Sequence, residues 1–363
     1  MTPILLTPGP LTTRDETRRA MLRDWGSRDS DFIALTAEVR RRLLEIANGA
    51  DSHVAVPLQG SGTFIVEATI GTLVGPKDKL LVLVNGAYGE RIVRIAQRLG
   101  RAVDSLVWEE VDPIDPGRVA RALDADLSIT HVAVIHCETT TGLLNPLAEI
   151  ATVVAASGRK LLVDAMSSFG ALPIDLSTLP ATAVMASSNK CLEGTPGLGY
   201  ALIEKQALAA SKGNSPSVSF DLYEQWQGFE SNGQWRFTPP VQVLAALGEA
   251  LRLLEAEGGP AERLARYREN CEILIDGMAR LGFPLLLDRP LQAPIIATFR
   301  HPHAGFDFER FYQALAARGF VIYPGKLSKA ESFRIGCIGA VGPADFRRLL
   351  VAIEDIRENR SAA

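Results

Sequence analysis

Short apolar runs alternate with helix-patterned stretches through most of this 363-residue chain, and that alternation limits the fold more than any other feature. Runs at 80–84, 103–108, 131–136, 160–165, 183–186 and 199–203 are too short for helices and are bounded by turn residues, so they predict buried strands. Between them, 91–99, 116–123 and 147–156 carry helical spacing, as does 32–46 earlier, where Phe32, Leu35, Val39, Leu43 and Ile46 recur at three or four residues. Strands alternating with helices predict an α/β fold with a mainly parallel sheet covered on both faces. In such sheets ligands sit beyond the carboxyl ends of the strands. Tyr88, Thr139, Asp164 and Lys190 all fall at such ends.

The pattern weakens between Ala209 and Pro240, where Trp226, Phe229, Trp235 and Phe237 cluster among Ser, Gly and Pro. Exposed, those rings would form a sticky patch, so they predict core or a subunit interface. A helix marked by Val241, Leu244, Leu247, Leu251 and Leu254 follows, placed to bridge two units. Beyond it, helices at 261–281, 308–318 and 343–357 alternate with strands at 294–299, 321–323 and 332–337. The expected division is an N-terminal segment (1–15), a large domain (16–250) and a smaller C-terminal α+β domain (251–363). Within the first segment, Leu6-Thr7-Pro8-Gly9-Pro10 excludes regular helix.

Composition excludes several functions. The formal net charge is -4 and lies in no single block, which argues against nucleic acid as a partner. No apolar run approaches the ~18 residues that cross a bilayer. The start, Met1-Thr2-Pro3-Ile4-Leu5-Leu6, has no signal-peptide pattern, so a cytoplasmic location is expected. Cys137, Cys191, Cys271 and Cys337 form no C-x-x-C pair, and His301 and His303 straddle a proline in a loop-like stretch. No metal is expected.

The candidate chemistry centres on two strings, Leu161-Leu162-Val163-Asp164-Ala165-Met166-Ser167-Ser168 and Ser187-Ser188-Asn189-Lys190. Alone, Asp164 is as well explained as a turn or helix-cap aspartate, and Lys190 as a surface lysine. Together they place an acid and an amine at neighbouring strand ends, facing one ligand. Gln59-Gly60-Ser61-Gly62-Thr63 opens a helix whose unpaired N–H groups suit a phosphate. Tyr88 offers a ring to stack on a ligand, or is an ordinary loop tyrosine. Arg334 suits bidentate recognition of an oxyanion, or a structural ion pair. A phosphate cradle, an acid for a ring nitrogen and an amine for a Schiff base converge on pyridoxal 5'-phosphate.

These strings, with Asn85-Gly86-Ala87-Tyr88-Gly89-Glu90-Arg91, His136-Cys137-Glu138-Thr139-Thr140-Thr141-Gly142 and Lys190-Cys191-Leu192-Glu193-Gly194, resemble the class V aminotransferase group of fold-type I pyridoxal-phosphate enzymes. Within that group the chain looks most like the members that use 2-aminoethylphosphonate and pyruvate; the alternative is the alanine- or serine–glyoxylate type. The resemblance implies that Ser61, Gly62, Thr63 and Ser187 hold the cofactor phosphate, Tyr88 stacks on the ring and Thr139 contacts its oxygen side. It implies that Asp164 pairs with the ring nitrogen and that Lys190 is the Schiff-base lysine. Thr238 matches the place where a second subunit reaches the phosphate, which implies a homodimer. Arg334 matches the substrate anchor, and Arg28, in the turn Gly26-Ser27-Arg28-Asp29, is a candidate second cation for a phosphonate. A cysteine desulfurase is disfavoured, because Asn189 and Tyr88 stand where that branch carries histidines. A non-catalytic member of the fold is also disfavoured, since lysine and phosphate turn are both present.

Overall fold

In the computed structural model, which describes residues 3–325, 327 and 330–361, the apolar runs assemble into a seven-stranded sheet. Its order is His53–Gln59, Leu198–Glu204, Ala183–Ser187, Lys160–Asp164, Ile129–Ile135, Lys79–Val84 and Ala102–Val107. Only Leu198–Glu204 runs against its neighbours, so the sheet is mainly parallel as expected. Side chains alternate faces along a strand. Val132, Val134, Leu161 and Val163 accordingly enter one core, while Ala133, Ile135 and Leu162 enter the other. Both faces are covered, which is why the central strands are apolar throughout rather than alternating.

The helices Ser30–Ile46 and Val241–Glu257 cover the first face. Gly62–Leu73 and Ala87–Arg98 cover the second. The buried leucines of Val241–Glu257 all lie in the core of the large sheet, and its last residue, Glu257, pairs with Arg263 and Arg266 of Pro260–Arg280. The helix expected at 91–99 begins earlier, at Ala87, and this puts Tyr88 in its first turn.

Two elements depart from the sequence reading. His53–Gln59 is a strand at the sheet edge, paired only with Leu198–Glu204; Pro57 breaks its apolar run, and an edge strand tolerates a proline. Leu222–Asn232 is a helix inside the stretch of weak pattern. Phe229 is buried and Trp226 and Trp235 pack partly against the core, whereas Phe237 is 53% exposed.

The C-terminal part has a three-stranded antiparallel sheet of Ile296–Arg300, Ser332–Gly336 and Tyr323–Pro324. Helices Pro260–Arg280, Phe308–Ala316 and Pro343–Ser361 accompany it. Phe283, Phe299, Phe311, Phe333 and Phe346 fill its core. The N-terminal segment touches both parts: Ile4–Leu5 pairs in parallel with Phe320–Val321 and Leu6 is buried among the phenylalanines, while the Pro8 carbonyl accepts from Lys190. Among the described residues, no helix is long and apolar enough to cross a membrane.

Candidate active site

Lys160–Asp164 and Ala183–Ser187 are adjacent parallel strands, with Asp164 in register with Met185. Asp164 therefore ends one strand beside the end of the next, and Lys190 follows three residues after Ser187. A cavity of about 370 Å³ opens at these ends. Ser61, Gly62, Thr63, Tyr88, Thr139, Asp164, Ser187 and Lys190 line it. The structure thus brings together eight of the eleven residues singled out in the sequence.

At one end of the cavity, Ser61 is the N-cap of Gly62–Leu73, and its side chain makes no capping bond to its own helix. Ser61, Gly62 and Thr63, at the start of that helix, line the cavity, and the partial positive charge of a helix start favours an anion. A Cβ on Gly62 would press on the Met166 side chain, which would have to shift, so glycine leaves room at this edge of the cavity. Gly60 before it adopts φ +130°, a conformation that side chains rarely take.

Asp164 is buried, and burial pushes its carboxyl up to about 6 while Arg91 and Lys190 pull it down. One oxygen accepts from the Met166 N–H at 2.9 Å. Burial also lowers the Lys190 amine to about 8; Asp164 opposes that shift and Arg334 adds to it. Lys190 Nζ donates to the Pro8 carbonyl at 2.7 Å. The N-terminal segment crosses so close that a Cβ on Gly9 would lie 2.6 Å from Nζ.

Tyr88 is positioned from beneath by Glu138, whose carboxylate accepts from the Tyr88 N–H at 3.3 Å and from the Thr140 N–H and hydroxyl. Burial raises the Glu138 carboxyl to about 7. Arg91 packs over the Tyr88 ring at 4.8 Å and donates to the Thr63 hydroxyl at 3.1 Å. Sequence reasoning gave no role to Arg91, Glu138, Cys137, Ser167 or Asn189, although the first stands in the same string as Tyr88. Its spacing, three residues on within a helix, was the signal available.

Arg334 sits in Ser332–Gly336 and does not itself line the cavity. Its guanidinium donates to the carbonyls of Thr139 and Pro324, each at 3.0 Å, and so abuts the cavity wall. Arg28 and Thr238 are exposed and lie outside the cavity of their own chain.

The cavity suits pyridoxal phosphate on three counts: a helix start that favours an anion, a buried acid and an amine lowered toward neutrality. The aminotransferase class-V family model matches residues 16–332. The chain belongs to the class-V aminotransferase family. As a member it takes pyridoxal phosphate as its cofactor and transfers amino groups. It is 54% identical over 355 residues to a 2-aminoethylphosphonate–pyruvate transaminase of Pseudomonas putida, covering 98% of this chain and 96% of the relative. A Burkholderia lata relative, 2-aminoethylphosphonate–pyruvate transaminase 2, is 55% identical, with 97% and 94% covered. Among solved structures, pyridoxamine–pyruvate aminotransferase of Mesorhizobium loti superposes with a TM-score of 0.91 at 28% identity, covering 99% and 93%. This class-V aminotransferase has its four cysteines buried and unpaired.

Proposed function

We propose that this aminotransferase works in the cytoplasm as a homodimer that moves the amino group of 2-aminoethylphosphonate to pyruvate, releasing phosphonoacetaldehyde and L-alanine. The observation that carries the substrate choice is the identity, above one half across nearly the full length, to relatives named for that reaction.

When bound, pyridoxal phosphate supplies an electron sink for the substrate carbon and stores the amino group between two half-reactions. The residues do the rest. Backbone N–H groups at Gly62 and Thr63, with the hydroxyls of Ser61, Thr63 and Ser187, hold the phosphate. Tyr88 covers the ring and Thr139 borders it. Asp164 holds a proton at the ring nitrogen; a cation opposite its carboxylate offsets the burial that otherwise favours its neutral form. Lys190, whose amine lines the cavity, would hold the cofactor. With its basicity lowered toward neutral pH, its amine would serve as the base and acid that moves the proton of the amino-bearing substrate carbon. Arg334 binds the phosphonate in one half-reaction and the pyruvate carboxylate in the other, both planar-fork targets.

The exposed positions of Thr238 and Phe237 support a second copy as their target, and any phosphonate contact by Arg28 requires the same. The test is a matrix of amino donors against acceptors. The proposal expects 2-aminoethylphosphonate with pyruvate to give the highest kcat/KM. A preference for alanine or serine with glyoxylate would replace it with the other branch of the family.

A further inference from the structure

The turn that carries Lys190 is followed by Glu193, a non-glycine residue at φ +58°. A left-handed backbone costs about 1–2 kcal/mol for such a residue, so its side chain must be held. Glu193 is 2% exposed. Its Oε1 accepts from Tyr267 Oη and from Arg266 Nη2, both at 2.7 Å, and lies 3.8 Å from Arg263 Nε. These three partners stand on Pro260–Arg280, and Arg14 lies 4.0 Å from the other carboxylate oxygen. The same helix grips the backbone on either side. Arg263, fully buried, donates to the carbonyl of Cys191 at 2.8 Å, immediately after Lys190. Arg266 donates to the carbonyls of Gly339 and Val341, and Tyr267 Oη accepts from the Gly339 N–H at 3.3 Å. That segment follows directly from the strand bearing Arg334. Glu257 completes the cluster by pairing with Arg263 and Arg266 at 2.7 Å each.

We propose that Glu193 is a positioning residue that ties the Lys190 turn to Pro260–Arg280, and so fixes the amine against the strand that carries Arg334. It touches neither ligand nor cofactor and acts through Lys190. The inference rests on the reading of Lys190 as the cofactor lysine. Its physical content is burial: the tie keeps water from the amine, and loosening it hydrates Lys190.

The test measures how fast the cofactor-free chain captures pyridoxal phosphate as a function of pH, which reports the fraction of neutral Lys190. Wild type is expected to show a midpoint near 8. Glu193→Gln and Glu193→Gly should move it upward by about one unit, toward an ordinary lysine. The glycine variant relieves the backbone, so recovery of the wild-type midpoint there would show that only the turn conformation matters and would overturn the proposal. Tyr267→Phe removes one bond to Glu193 from the opposite side, and should shift the midpoint in the same direction by less; it decides the question if the Glu193 variants do not fold. Glu257→Gln weakens the cluster away from the Lys190 turn and should lower the melting temperature with the midpoint unmoved. An equal shift in Glu257→Gln, or unmoved midpoints in folded Glu193 and Tyr267 variants, would also overturn the proposal. Failure of wild type to capture the cofactor would instead strike the reading of Lys190 itself.

Discussion

Two buried charged clusters lie on opposite sides of the Lys190 turn, and they are built to opposite plans. In the cavity cluster Asp164, Lys190 and Glu138 are hydrogen-bonded to backbone groups and a hydroxyl rather than to opposite charges. Burial therefore dominates and drives the carboxyls up and the amine down, to about 6, 7 and 8 for Asp164, Glu138 and Lys190. In the Glu193 cluster every charge has at least two partners. Arg266 is shifted up despite its burial, because Glu257 and Glu193 hold its charged form, and Arg263 is raised likewise by its neighbours. Under-pairing leaves groups ready to exchange protons, whereas full pairing locks them. Chemistry belongs to the first cluster and rigidity to the second.

Exchanging a residue in each cluster separates the two roles. Lys190→Ala should abolish transamination, a loss of at least ~10³-fold given the joint roles of covalent attachment and proton transfer. Its melting temperature should be equal to wild type or higher, since a poorly solvated amine is removed. Arg263→Ala should do the reverse in a denaturant titration, with a cost of about 3–5 kcal/mol from leaving Glu257 and Glu193 under-paired in a buried place. A Lys190→Ala chain that unfolds, or an Arg263→Ala chain as stable as wild type, would erase the contrast.

Smaller effects sharpen it. Asp164→Asn should lower kcat by ~10²–10⁴-fold with the fold retained, because the amide cannot hold the ring-nitrogen proton by charge. Arg334→Lys should raise KM for phosphonate and pyruvate together by ~10-fold, through loss of the planar fork; a change confined to one substrate would remove the shared-anchor idea. The smallest effect is in pH dependence. Asp164 has a folded value above its ordinary 3.8, so the folded cofactor-free chain binds that proton more tightly than the unfolded one. Its contribution to stability is therefore lost as pH rises from about 4 through about 6. Thermal melts of Asp164→Asn should lack that part of the slope.

Much of the site could be read in the sequence because it is local. Asp164 and Lys190 each end an apolar run, and the phosphate turn is a single string before a helix. The strand at 53–59 was missed because Pro57 interrupts it. The helix Leu222–Asn232 carried signals that the aromatic cluster obscured: Asp221 caps the N–H of Glu224, and Gly233 ends the helix at φ 73°. The Glu193 cluster could not be read at all. Its partners lie some seventy positions apart, and arginines on a helix face are usually solvated. Only the fold, by laying Pro260–Arg280 against the Lys190 turn, makes them a unit.

The most direct measurement is chemical. Reduction of the cofactor-loaded protein with borohydride, followed by peptide mass analysis, should place one pyridoxyl group on the peptide containing Lys190. The group on any other lysine, or on none, would contradict the account.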